Sequence, residues 1–132
     1  MTHDLRRFMN AVRLCEATAK LADLYDEYEL NDQREMLANY VDPEDLDRDF
    51  VVHIMSPAQA KTYVTARDDM TVVDAFKQFA SREQKRLVRD KAKRYDADRI
   101  IVVFNRSVID GNHQLMAGIM ANRPIKYIDL SE

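Results

Sequence analysis

The sequence predicts an α+β fold, a small mixed sheet with packed helices preceded by a helical N-terminal extension. Three observations predict it. The run Arg99-Ile100-Ile101-Val102-Val103-Phe104 is apolar without interruption after its first residue and has the length of a buried strand. Elsewhere apolar residues recur at spacings of three and four, the period of helices with one buried face. Only two of the 132 residues are glycine, and both fall in one short stretch between strand-like segments, at Gly111 and Gly118.

Taken in order, Leu5, Phe8, Val12, Cys15, Ala19 and Ala22 form one apolar stripe of a first helix that Asp4 can cap. Residues 32–40 read as a second helix with Met36, Leu37 and Tyr40 inward, ended by Asp42-Pro43. Residues 49–55 (DFVVHIM) are rich in β-branched side chains and read as one strand, with His53 structural within it. Ser56-Pro57-Ala58-Gln59 is a helix start, with serine as N-cap, proline at the first position and glutamine closing a capping box. That helix is predicted to run to Ala66, with a turn at Asp68-Asp69. A helix then begins near Thr71 with Val72, Val73, Phe76 and Phe79 apolar, and Ser81 caps a further one that ends near Arg94, anchored by Leu87, Val88 and Ala92.

The strand 100–104 follows, then a turn at Asn105-Arg106 and a short return strand 107–109. After Asp110-Gly111-Asn112-His113 comes a helix with Leu115, Met116, Ile119 and Met120 on its core face. Asn122-Arg123-Pro124 stops it, and 125–130 (IKYIDL) alternates as a last strand.

Composition excludes several classes. Apolar residues are 46% and charged residues 33% of the chain, too apolar for a disordered segment. No apolar run approaches the roughly 20 residues of a transmembrane helix, and the charged N-terminus has no secretory core, so no membrane partner is expected and a cytoplasmic protein is. Cys15 is the only cysteine, and His3, His53 and His113 have no metal-ligand spacing, so no metal site is predicted.

Charge is divided along the chain. Residues 23–49 hold eleven acids against two bases, a net −9, and residues 82–94 hold seven bases against two acids, a net +5. Such runs are ordinarily solvated faces. The basic helix can also meet a phosphate backbone, through Arg82, Lys85, Arg86, Arg89 and Lys93. The acidic segment can dock on a basic protein.

One stretch carries chemistry. Residues 109–119 (IDGNHQLMAGI) place a strand, a glycine turn and a helix N-terminus in direct succession. Gly111 permits positive φ, and the first helical turn presents unpaired N–H groups at the positive end of the helix dipole, which suits a phosphate. Asn112, His113 and Gln114 add polar side chains there. Many such turns bind nothing, and Gly118 within the helix indicates close backbone packing.

Asp110-Gly111-Asn112-His113-Gln114-Leu115 resembles the D-G-x-H-R-L box of the ParB/sulfiredoxin-like superfamily. The resemblance extends over residues 49–130, in the order strand, turn, short strand, box, helix, proline and strand. It implies a domain at 49–132 with residues 1–48 as a helical N-terminal extension. It further implies a nucleotide, ATP or CTP with Mg²⁺, whose phosphates Asp110, Gly111, Asn112, His113 and Gln114 would hold. Small proteins of this kind are frequent in bacteriophage genomes, which implies a phage source and a host-cytoplasmic location.

Two positions depart from the family pattern. Gln114 stands where the family has arginine and offers no fixed charge, and Arg106 in the preceding turn is the nearest replacement. Asn112 stands in the cysteine slot, which excludes sulfiredoxin-type redox chemistry.

Three functions follow as expectations. One is a nucleotide- or nucleic-acid-binding domain. Another is a catalytically inactive adaptor that binds a host or viral protein through residues 23–49. The last is an enzyme, a nuclease or phosphotransferase, in which His113 would be the general acid or base. No second catalytic partner for His113 is visible in the spacing.

Overall fold

A computed structural model describes residues 17–66 and 69–132, and the chain divides into two units, Met1–Val52 and His53–Glu132. The division falls inside 49–55, the stretch the sequence reads as one strand. The expected stripe residues Leu5, Phe8, Val12 and Cys15, the Asp4 cap and Asp68 lie outside the described residues.

In the first unit, β1 (Thr18–Ala19) pairs antiparallel with β2 (Phe50–Val51). Ala19 is therefore in a strand, and the first helix does not extend through it to Ala22. After β1 come a short helix α1 (Leu21–Leu24), α2 (Glu27–Leu37) and a 3₁₀ turn, Pro43–Asp47. Helix α2 begins before residue 32 because Asp26 and Glu29 form a capping box: the Asp26 carboxylate accepts from the Glu29 N–H, and Glu29 accepts from the Asp26 N–H. Among the described residues of this unit Leu21, Tyr25, Leu37 and Phe50 are buried, and the Arg48 guanidinium lies 4.1 Å from the Phe50 ring centre.

The second unit is mixed α+β. Its five-stranded sheet runs β3 (His53–Met55), β7 (Ile125–Asp129), β5 (Ile100–Phe104), β6 (Ser107–Asp110) and β4 (Val64–Thr65). β3–β7 and β5–β6 are antiparallel, while β5–β7 and β4–β6 are parallel. Central β5 buries Ile101, Val102 and Val103 in succession, the consequence of an apolar run without alternation. Ile101, Val103, Val108 and Ile125 of the sheet pack with Leu115, Met116 and Ala117 of α6 (Asn112–Ala121), Val88 of α5 (Arg82–Lys93) and Val72 of α4 (Val72–Phe79).

Several expectations need correction. Residues 49–55 are two strands in two sheets, because the Val52 N–H bonds to the Ala17 carbonyl while His53 joins β7. The helix opened by Ser56 lasts one turn, α3 (Pro57–Ala60), although its capping box forms. The β-branched residues Val64 and Thr65 then take a ladder against β6, which the expected helix would have denied them. Phe79, Leu87 and Met120, read as apolar anchors, are exposed. In α5 the inward positions go to Val88 and Ala92, and in α6 Gln114, Ala117 and Gly118 are buried.

Helix α2 ends at Leu37, short of the expected Tyr40, while several turn and cap signals form as read. Thr71 caps α4, Ser81 closes a capping box with Gln84, and Asn105 and Arg106 turn the β5–β6 hairpin with φ of 54° and 101°. Asn122 ends α6 in the left-handed conformation, just before Pro124. Among the described residues no helix is long and apolar enough to cross a membrane, and no group of three His, Cys, Asp or Glu side chains is placed to hold a metal ion.

Candidate functional site

The glycine turn forms as its sequence requires. β6 ends at Asp110, Gly111 adopts φ +120°, and its carbonyl accepts the first α6 bond from the Leu115 N–H at 2.9 Å. A Cβ on Gly111 would lie 2.4 Å from Ile101 Cγ2 and 2.6 Å from Ile101 Cβ. Glycine is thus required twice, by its dihedral angle and by contact with the sheet. The N-cap of α6 is Gly111, which has no side chain to cap it, whereas the N-cap side chains of Asp26, Ser56, Thr71 and Ser81 cap α2, α3, α4 and α5.

Asp110, Gly111, Asn112 and His113 come together at this turn, with Asn112 and His113 exposed. Gln114 does not join them. It is fully buried and its amide donates to the Asp96 carbonyl at 2.8 Å. A phosphate contact by Gln114 is therefore corrected: one residue past His113, the helix has already turned into the core. Gln114 Oε1 is buried with no hydrogen-bond partner. Gln114→Leu is expected to change stability by less than about 1 kcal/mol, since the lost amide bond is offset by removal of an unpaired acceptor. Urea unfolding checks this, and a loss above about 3 kcal/mol would contradict it.

Arg106 does not replace the missing arginine. It lies at the opposite end of β6 from Gly111, bonded to the Thr62 hydroxyl and stacked near Tyr63. The cation whose charge acts on Asp110 of the turn is instead Lys91 of α5. Burial lowers the Lys91 pKa, Arg99 lowers it further, and Asp96 and Asp110 oppose them. Lys91 escapes a sequence reading because only the packing of α5 on α6 brings it there. The one signal in the sequence is its place next to Ala92, an apolar anchor of that helix, and the structure shows Lys91 half-buried there.

Tyr63 is 9% exposed, edge-on to Tyr127, and burial with the Tyr127 bond pushes its hydroxyl from 10.0 up to about 12. Below the unfolded value the hydroxyl is neutral in both states. As pH rises from 10 toward 12 only the unfolded chain ionises, so stability is expected to fall by roughly 2–3 kcal/mol across that window. An ultraviolet titration of the six tyrosines should show Tyr63 ionising late, and the transition should vanish in Tyr63→Phe.

The second candidate is α5 itself. At about 100° per residue, Val88 and Ala92 define its inward side, and the outward crest carries Arg86, Asp90 and Glu83. Arg86 pairs there with Glu83 at 3.2 Å and with Asp90 at 3.7 Å. Lys85, Arg89, Arg82 and Lys93 fall within an arc of about 80° on one flank. None of these four has an ion pair among the described residues. Arg82, Glu83, Lys85, Arg86 and Arg89 line one open surface depression, so the Arg86–Glu83 pair borders the cations of the flank. The structure therefore separates Arg86, held within its own helix, from four uncommitted cations.

In the acidic segment, Lys20 pairs with Asp49 at 2.6 Å and Arg48 with Asp45 at 3.6 Å, and most of the other acids there are exposed. No protein-family model, curated protein or solved structure matches the chain.

Proposed function

We propose that the unit His53–Glu132 is a ParB/sulfiredoxin-like domain that binds nucleic acid, with phosphates held along one flank of α5. The observation that carries this reading is the set of four uncommitted cations, Arg82, Lys85, Arg89 and Lys93, aligned over three turns of one rigid helix. Their spacing spans about 16 Å at 1.5 Å per residue, long enough to follow several phosphates. The helix packs through Val88 and Ala92, so the flank stays fixed, with Arg82, Arg89 and Lys93 exposed and Lys85 half-buried at its edge. A polyanion gains from such a surface by releasing its counterions.

The test is binding of a labelled oligonucleotide as a function of salt. Neutralising four phosphates predicts a log–log slope near −3, or a loss of about 50-fold between 50 and 200 mM salt. A slope near zero would contradict phosphate contact by this flank.

A second reading is favoured by the glycine-headed α6 N-terminus, whose neighbour Asp110 interacts electrostatically with Lys91. There the N–H groups of Asn112 and His113 would hold the phosphates of a nucleotide such as ATP or CTP with Mg²⁺. His113 has no hydrogen-bond partner among the described residues, so a role in acid–base chemistry would depend on the ligand alone to orient it. A thermal-shift screen with nucleotides separates this reading from the first.

A further inference from the structure

Phe79 ends α4 with its side chain 67% exposed. The apolar stripe of that helix, Val72, Val73 and Phe76, packs on the core and leaves the next aromatic outside it. Two extended residues, Ala80 and Ser81, connect Phe79 to Arg82, the first cation of the α5 flank. Three residues of chain keep the two Cα atoms within about 10 Å. An exposed ring thus stands at the head of a line of uncommitted cations.

Resting on the nucleic-acid reading above, we propose that the ligand is single-stranded, with one unpaired base stacked on Phe79 and its neighbouring phosphates on Arg82, Lys85, Arg89 and Lys93. Two features favour a single strand over a duplex. A helix that enters a duplex groove leads with its crest, and the crest of α5 carries Glu83 and Asp90 against Arg86 alone, a net negative strip whose one cation is already shared between the two carboxylates. The cations lie on the flank instead, where one strand can run along the helix. On an intact duplex an exposed ring must first unstack a base step, which costs stacking energy, whereas every unpaired base offers a face to it directly.

The chain contains no tryptophan, so Phe79→Trp installs a single fluorescent reporter at the proposed stacking position. Adding a single-stranded thymidine oligonucleotide at low salt should quench it, and the matching duplex should not. In anisotropy titrations, Phe79→Ala should weaken the single strand about tenfold and the duplex less than twofold. Leu87→Ala, an exposed apolar residue on the other flank of α5, should leave both unchanged. Unchanged tryptophan emission, or duplex binding as tight as single-strand binding, would overturn the stacking proposal. If binding then still weakened on neutralising Arg82, Lys85 and Arg89, the nucleic-acid reading would stand without it. Absence of binding to either oligonucleotide would overturn both.

Discussion

Gly111→Ala is expected to destabilise the second unit by about 2–6 kcal/mol, and Gly111→Val by more. Two costs add. A non-glycine residue held at φ +120° pays roughly 1–3 kcal/mol of backbone strain. Its Cβ must also displace Ile101, whose Cβ and Cγ2 stand 2.6 and 2.4 Å from it. Overpacking of that kind costs typically 1–3 kcal/mol, and Ile101 is 1% exposed in the central strand, with little room to move. Denaturant unfolding measures the loss, and a variant within 0.5 kcal/mol, roughly the scatter of surface substitutions, would contradict the packing account. Loss of ligand binding in a Gly111 variant consequently says little about phosphate contact, because the fold is disturbed with it. Exposed Asn112 and His113 are the positions at which that turn can be tested cleanly.

The second large effect concerns binding alone. Arg82→Gln, Lys85→Gln and Arg89→Gln combined should weaken oligonucleotide binding by at least about 100-fold at low salt and reduce the salt slope by about 2. Stability should change little, since none of the three takes part in an ion pair among the described residues and α5 keeps its Ser81–Gln84 capping box. Arg86→Gln is the informative contrast. Its guanidinium is shared between Glu83 and Asp90, so the same loss of charge should cost far less affinity. Equal losses for Arg86 and Arg89 would mean that the crest pairs open on binding and that the flank is not special.

Much of the second unit can be read directly from residues. The apolar run 100–104 is buried on both faces, so it carries no competing period. Asn105 and Gly111 act through backbone angles that their local chemistry favours, and Thr71 and Ser81 cap through side chains within three residues. What escaped the sequence depends on distant partners. Ser56–Gln59 is a sound helix start, yet the chain leaves the helix after Ala60 because Val64 and Thr65 find β6, more than forty residues away. Residues 49–55 carry strand propensity throughout, and only their partners, β1 for Phe50–Val51 and β7 for His53–Met55, divide them.

The candidate site follows the same rule. Asp110 to His113 are neighbours in sequence and stay together. Gln114 was misread because its polarity masked its place on the inward side of α6. The distinction between Arg86 and its four neighbours needed the direction of the buried face, which Leu87 obscured by looking like an anchor while Val88 took that position.

The central claim is that phosphates lie along one flank of α5. It is tested most directly by titrating the isotope-labelled protein with a short single-stranded oligonucleotide and following each backbone and side-chain signal. The account predicts shifts concentrated at Arg82, Lys85, Arg89 and Lys93, with smaller changes at the acidic crest. Shifts confined to Asn112 and His113, with α5 unmoved, would contradict it and assign the ligand to the α6 N-terminus.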